Sequence, residues 1–241
     1  MTSYIKLYAR IISAAVVAFL LFAFQGCDTT ETTDSRGGRV SLSFSSGSDL
    51  QKINQDLQLT EVKILLRDIK LRKESEDDED GHGGDDSCAS VKTEPIVVHL
   101  NVDSVTTDFV VTNLPAGTYD GLKFEIHKVG GSETPPDPEF KEGDDNSKRY
   151  SVIAKGNIDG NPFVYKSKKS AHQHIGFDPP LVVIENSNTN LTIIVDPYTW
   201  FYEDGMFLDP TDPDNENNID NNIKDSFKQC FKDDDHNGDG D

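Results

Sequence analysis

The stretch Phe109–His127 reads Phe-Val-Val-Thr-Asn-Leu-Pro-Ala-Gly-Thr-Tyr-Asp-Gly-Leu-Lys-Phe-Glu-Ile-His, and it decides the fold class. In its second half, Leu122, Phe124 and Ile126 alternate with charged residues and a histidine. A period of two is typical of a strand with one buried side and one solvent-facing side. The Leu-Pro-Ala-Gly before it predicts a tight antiparallel connection to a preceding short strand, because proline fixes φ and glycine accepts a positive φ. We therefore expect a β-hairpin from which a sheet grows.

Other segments of the chain repeat this strand pattern. The stretch between Leu57 and Lys73 also fits one face of a helix, but a strand with a β-bulge near Arg67 explains its slip in phase. Asp159-Gly160 lies between two alternating runs and is a strong hairpin signal. The remaining predicted strands are centred on residues 40–44, 96–100, 150–158, 163–165, 181–184 and 191–195.

About eight or nine short strands with little helix favour an all-β fold, an antiparallel β-sandwich of the immunoglobulin-like type. Two polar segments, 74–87 and 130–148, are expected to be long loops, the first of them strongly acidic. The only predicted helix is short and C-terminal. Its apolar stripe recurs every fourth residue, at Ile219, Ile223, Phe227 and Phe231.

Two segments also carry a family resemblance. Asn113-Leu-Pro-Ala-Gly-Thr-Tyr119, followed by an alternating strand, resembles a turn of transthyretin-like β-sandwiches. The wider pattern resembles an uncharacterised bacterial lipoprotein family, domain of unknown function 4382, with Thr60–Lys70 as the second matching segment. The likeness covers roughly residues 39–200. It implies a transthyretin-like sandwich, and that family has no assigned activity to carry over.

The N-terminus has the features of a lipoprotein signal peptide. Lys6 and Arg10 precede an apolar run at 11–24, which is short for a membrane span and typical of a signal-peptide core. The following Phe24-Gln25-Gly26-Cys27 resembles a bacterial lipobox. We expect cleavage before Cys27 and a lipid anchor on its thiol; the alternative is ordinary secretion with Cys27 as a spare thiol. The anchor predicts a cell-envelope location, as an outer-membrane lipoprotein that faces the surface or the periplasm; the Asp28 that follows leaves retention at the inner membrane as the alternative.

The predicted organisation has four parts: signal peptide 1–26, flexible tether 27–38, β-sandwich 39–200, and C-terminal helix with an Asp-rich tail 201–241. The formal net charge is −20. Such a surface repels nucleic acid and anionic membrane, and it suits cations or basic partners. We therefore expect no nucleic-acid partner. The expected partners are the membrane, through the lipid, and a polysaccharide or an envelope protein.

The Asp-rich tail holds a candidate calcium site. Residues 235–240, Asp-His-Asn-Gly-Asp-Gly, fit the opening of a calcium loop, in which alternating side chains turn their oxygens toward one cation. No position-12 Glu follows, so further oxygens would have to come from elsewhere, for example from the loop 209–214. The alternative is a solvated acidic tail. The candidate ligands are Asp235, Asn237, Asp239 and Asp241.

Three smaller groups of residues leave alternatives open. If Cys27 is lipidated, Cys88 and Cys230 remain as a pair that forms a disulfide or stays as two thiols. His172 and His174 would share one side of a strand, a spacing that transition metals use, or they are exposed residues of a loop that enters a strand. The aromatic cluster packs the C-terminal helix or forms a sugar-stacking platform; its members are Trp200, Phe201, Tyr202 and Phe207.

The sequence predicts a non-catalytic protein. It contains no Gly-x-Ser-x-Gly, no His-Glu-x-x-His and no phosphate-binding glycine loop. The leading hypothesis is a lipid-anchored binding or adhesion module with calcium as a candidate cofactor. The rival hypotheses are a structural assembly subunit of fimbrial type and a cryptic hydrolase.

Overall fold

The structure is a computed structural model that describes residues 37–45, 57–73, 88–100, 107–143, 147–227 and 229–233. The predicted signal peptide, most of the tether, Cys27, the acidic segment 74–87 and the four candidate calcium ligands lie outside these residues. The described part contains thirteen strands and one α-helix, α1, at Glu216–Asp225. The strands are β1 Gly37–Ser45, β2 Leu57–Lys73, β3 Cys88–Lys92, β4 Ile96–Leu100, β5 Thr107–Pro115, β6 Gly117–Ile126, β7 Val152–Ile158, β8 Asn161–Ser167, β9 Ala171–Val183, β10 Asn188–Ile194, β11 Tyr202–Glu203, β12 Met206–Phe207 and β13 Gln229–Lys232.

The large sheet is built on the long strand β2. Leu66 pairs with Ile96 of β4 and with Ile126 of β6, and Val62 pairs with β4 and β7. Because a strand residue has one neighbour on each side, β6 and β7 lie end to end on one side of β2, and β4 lies on the other. β3 continues the row of β4, while β8 and β9 flank β7 and β6. The sheet therefore has four rows of strands.

The small sheet has the order β13-β10-β1-β5 and completes an all-β sandwich, as the strand pattern predicted. Its pairs are antiparallel except β1 with β10, which is parallel. The alternating apolar residues of both sheets are buried between them and form the main core, for example Leu42, Ile64, Leu122 and Ile193. Burial of these side chains is the main stabilising contribution to the fold.

Two local predictions are confirmed in detail. The phase slip of β2 is a β-bulge, because the pairing with β6 shifts between Arg67 and Lys70, and Asp68 between them has a φ of 53°. β7 and β8 form the predicted hairpin, with Ile158 opposite Asn161. The φ values of 49° and 80° at Asp159-Gly160 are both positive, as a type I′ turn requires.

The predicted hairpin around Pro115 and Gly117 is wrong. β5 pairs with β1 in the small sheet, whereas β6 pairs with β2 and β9 in the large sheet, so the chain crosses between the sheets at this corner. The hydroxyl of Tyr119, which is fully buried, donates to the carbonyl oxygen of Pro115 at 2.9 Å. A tyrosine in this position at a sheet-to-sheet corner is typical of immunoglobulin-like sandwiches. The turn signal was local and could not specify which strands pair.

The predicted C-terminal helix is real but shorter than its apolar stripe. Ile219 and Ile223 are buried on α1, and Phe227 packs edge-on against Phe124 with ring centroids 5.5 Å apart. The chain then continues as β13, which pairs with β10 and brings Cys230 opposite Ile193. Cys230 and Phe231 therefore belong to a strand, whereas the apolar stripe predicted that the helix continues to Phe231. Pairing with the sheet edge satisfies the backbone groups of this segment, which overrides the helical period.

Candidate functional site

One half of the outer face of the large sheet is covered by a loop. The covering loop comprises residues 128–143 and 147–150 of the described chain. Phe140 and Tyr150 of this loop pack with Leu65 of β2 and Ile153 of β7 in a second apolar core, separate from the main one. Phe140, Leu65 and Ile153 are fully buried. We call this region the covered half.

A cluster of ion pairs holds the covering loop on the strands. The ammonium of Lys63 lies 2.8 Å from Asp137 and 2.9 Å from Glu139, and that of Lys155 lies 2.6 Å from Glu61 and 2.8 Å from Glu139. Hydrogen bonds from these lysines lower the pKa of all three carboxylates. Burial alone would lower the pKa of Lys63. Its two carboxylate partners on the loop outweigh this effect, so the pKa is raised overall. The loop is thus fastened by charge as well as by apolar packing.

The other half of the same face is open. It contains a groove of about 480 Å³, which we call the open groove. Lys70, Lys123 and His174 are paired across β2, β6 and β9. Two residues further along β6, Glu125 is paired with His172 of β9. The groove is lined by Asp68, Lys70, Lys123, Phe124, Glu125, His172, Gln173 and His174.

His172 and His174 are both exposed on β9, so they share one side of a strand. The exposure that the alternative predicted is confirmed, but these residues belong to a strand and not to a loop. The ring of His174 lies over Gly121, where an added Cβ would be 2.9 Å from Nε2. Partial burial, followed by the positive charges of Arg72 and Lys123, lowers the pKa of His174. Its imidazole is therefore neutral near pH 7.

The carboxylates of the open groove are already paired. Glu125 is buried and accepts a hydrogen bond from the guanidinium of Arg67 at 2.6 Å, and Asp68 lies 3.2 Å from the same guanidinium. Behind Glu125, the buried His127 lies 2.8 Å from Glu133. Lys123 forms no ion pair with any residue of the described ranges. The groove therefore offers positive charge and imidazole nitrogens to solvent.

The arrangement does not suit a metal ion. Among the described residues, no group of three or more His, Cys, Asp and Glu side chains is close enough to hold a metal, so His172 and His174 have no third ligand there. The cationic Arg72 and Lys123 beside His174 would also repel a metal cation. The same cations favour an anionic ligand.

The two described cysteines are not joined. Cys88 is half-buried on β3 of the large sheet, Cys230 is buried on β13 of the small sheet, and both are free thiols. The disulfide alternative is therefore not realised in this structure. Burial raises the pKa of Cys230 to about 12, so its thiol stays protonated and unreactive.

The aromatic cluster after the last core strand is mainly structural. Trp200 and Phe201 are fully buried in a short 3-10 helix, Pro197–Phe201. The side chain of Asn222 on α1 donates to the carbonyl of Trp200 at 3.1 Å. The packing interpretation is confirmed for these two rings, and a stacking platform that includes Trp200 is excluded by its burial. Tyr202 and Phe207, 5.5 Å apart, form the partly exposed edge of the cluster.

Sequence reasoning found the two histidines but missed Lys70, Lys123 and Glu125. A charged residue that alternates along a strand is the usual composition of any solvent-facing side, so no single position stood out. Only the register across three strands brings these residues together with the histidines.

No protein-family model and no curated protein matches the chain, so the resemblance to domain of unknown function 4382 stays a prediction. Among solved structures, the chain is similar to MbnP from Methylosinus trichosporium, with 10% identity, a TM-score of 0.36, and coverage of 72% of this chain and 80% of that chain. In the described part of the chain, no helix is both long enough and apolar enough to cross a membrane.

Proposed function

We propose that this chain is a non-catalytic binding module of the bacterial cell envelope and that it binds its ligand through the open groove. The observation that carries the proposal is the contrast within one sheet face. One half is sealed by the covering loop, whereas the other half has the half-buried Lys123 and the exposed His172 and His174 around a groove. A concave surface with converging polar groups is the default place for a binding site.

The chemistry of the groove favours binding over catalysis. Its buried carboxylate, Glu125, is held by Arg67, so it is a poor candidate for a general base. The lining residues include no serine, threonine or cysteine that could act as a nucleophile. A screen of hydrolase substrates in which the purified protein shows turnover would contradict this part of the proposal.

The binding test uses the full chain in mild detergent and a panel of envelope and environmental polysaccharides. The proposal predicts that at least one polysaccharide is retained, and that Lys123→Glu weakens its binding by about tenfold or more. The matched control is Lys148→Glu, an exposed lysine of the covering loop. Equal loss in both variants, or no loss in either, would contradict a binding site in the open groove.

We also propose that Cys27 carries the lipid anchor and that the Asp-rich tail binds calcium. Metabolic labelling with a fatty acid should label the wild-type protein and leave Cys27→Ser unlabelled. Calorimetry with millimolar calcium should give binding heat that is lost when Asp235 and Asp239 are changed to Asn. An unlabelled wild-type protein would exclude the anchor, and the absence of heat would exclude the calcium site. Neither outcome bears on the open groove.

A structural assembly subunit is the second candidate, and the sheet edges favour it. Within the described residues, β8 pairs only with β7 and β5 pairs only with β1, so each has an edge that can add a strand. Val164 on β8 is about half exposed, which adds apolar surface to that edge. Size-exclusion chromatography in mild detergent distinguishes the candidates. Polymers would support assembly, whereas a monomer would favour the binding module.

A further inference from the structure

We propose that the open groove binds the carboxylate groups of an acidic polysaccharide, with Lys123, His172 and His174 as the groups that contact it. This inference rests on the proposed function and names its class of ligand. Three observations carry it: the ion pairs around the groove, the sheet surface beside the groove and the net charge of the whole chain.

One ammonium of the groove, that of Lys123, is placed to receive an incoming anion. Asp120 lies 2.5 Å from Nε of Arg72, and Glu125 and Asp68 are held by Arg67. Lys123 is left without an ion pair among the described residues. A carboxylate bound beside it would gain a charge-assisted hydrogen bond without breaking an existing pair.

The sheet surface beside the groove suits a flat, extended ligand. Gly121 of β6 is paired with Gly176 of β9, two residues along the strands from the pair of Lys123 and His174. The ring of His174 covers Gly121, but a Cβ at Gly176 would meet no side chain, so the sheet is bare at Gly176. His172 lies two residues along β9, about 7 Å away, so a chain that follows this strand passes both imidazoles.

The charge of the chain selects among polyanions. With a net charge of −20, the protein repels a densely charged polymer as a whole. Double-stranded DNA carries one negative charge per about 1.7 Å, most of which would face this acidic surface. A polysaccharide with one carboxylate per sugar can place single charges on the groove and neutral hydroxyls elsewhere. The net charge of the chain therefore favours the sparsely charged polymer.

The groove also makes binding depend on pH. The groups that face His174 are Arg72 and Lys70 on β2, Lys123, Asp120 and Glu125 on β6, and His172 on β9. Its pKa is lowered, so the ring is neutral near pH 7 and gains a proton only as the pH falls below the ordinary histidine pKa of about 6.5. That proton adds positive charge beside Lys123, whereas ligand carboxylates with pKa values near 4 remain ionised. Binding should therefore tighten between pH 7.5 and pH 5.5.

The test measures the affinity of the full chain in mild detergent for polygalacturonate, neutral dextran and a DNA duplex at both pH values. We expect polygalacturonate alone to bind, and to bind about threefold or more tightly at pH 5.5. Lys123→Glu should weaken it about tenfold or more, and His174→Gln should reduce the pH effect. Lys148→Glu and His99→Gln, exposed residues outside the groove, are the matched controls.

Three results would overturn the inference: no binding of polygalacturonate, equal binding of DNA, or affinity that is unchanged in Lys123→Glu. If Lys123→Glu lowers the melting temperature, Lys123→Ala repeats the measurement without adding a carboxylate. The proposed function is tested separately. It survives if the groove variants lose the binding of a neutral polysaccharide of the panel. It is contradicted if the groove variants bind every ligand as the wild type does.

Discussion

On the covered half of the large sheet, Leu65 and Ile153 point outward and are sealed by Phe140 of the covering loop, whereas on the open half the outward positions hold Lys123 and His174. Both halves belong to the same rows of strands. The difference lies in the outward-facing side chains. Apolar residues require a cover because their burial is favourable by about 25 cal/mol per Å², and charged residues remain in water.

The two halves also use charge in opposite ways. On the covered half, Lys63 lies within 3 Å of Asp137 and Glu139, so its charge is used to hold the loop. On the open half, Arg67 and Arg72 neutralise the neighbouring carboxylates, and Lys123 remains accessible. Charge on the first half stabilises the fold, and charge on the second half is available to a ligand.

The largest expected effect is on the covered half. Phe140→Ala removes a fully buried ring from the second core and should lower the free energy of unfolding by about 3–5 kcal/mol. Urea unfolding followed by circular dichroism measures it. Lys123→Ala on the open half should change stability by less than about 0.5 kcal/mol. Comparable losses in the two variants would contradict the division into a structural half and a binding half.

A smaller loss is expected from the ion-pair cluster. Lys63→Met leaves Asp137 without its ammonium partner and Glu61 and Glu139 with Lys155 alone, which should cost about 2 kcal/mol because the group is only partly shielded from water. Lys168→Met is the control, since its contact with Glu216 is exposed and should contribute less than about 0.5 kcal/mol. If both variants unfold at the same urea concentration as the wild type, the cluster does not fasten the loop.

Acid should loosen the covered half first. Glu61, Asp137 and Glu139 have lowered pKa values, so the folded state binds fewer protons than the unfolded chain. Their stabilisation is present above the ordinary carboxylate pKa of about 4 and is lost as the pH falls through the lowered values. Hydrogen exchange should rise in residues 128–143 before it rises in β6. Uniform exchange across both segments would contradict the prediction.

The smallest expected effect is on the open half. Because the pKa of His174 is lowered, the unfolded chain binds more protons just below pH 6.5, and stability should fall slightly as the pH falls through this range. His174→Gln should flatten that slope without changing stability at pH 8. Thermal melting at a series of pH values measures it, with His99→Gln as the control. A slope that is unchanged in His174→Gln would show that another group titrates.

Much of the sandwich could be predicted because its signals are local. The bulge of β2 at Asp68 and the turn at Asp159-Gly160 follow from a phase slip and a dipeptide. The corner at Pro115 could not be assigned, because a turn sequence does not state whether its two strands pair. The end of α1 was missed for a related reason, since the pairing of β13 with β10 joins residues far apart in sequence.

The candidate site was less accessible to sequence reasoning. His172 and His174 stand out as an unusual residue type at a strand period. Lys123 and Glu125 do not, because alternating charges occur on any wet strand face. These residues lie together with the histidines because of the register of β2, β6 and β9. They stay uncovered because the covering loop does not extend over them.

The most direct test of the account compares Lys123→Glu with Lys148→Glu in their binding to a polysaccharide that the wild-type protein retains. The account predicts that the first variant loses about tenfold or more in affinity while the second binds as the wild type does. Equal affinity of the two variants, with both folded, would contradict the claim that the open half of the large sheet is the binding surface.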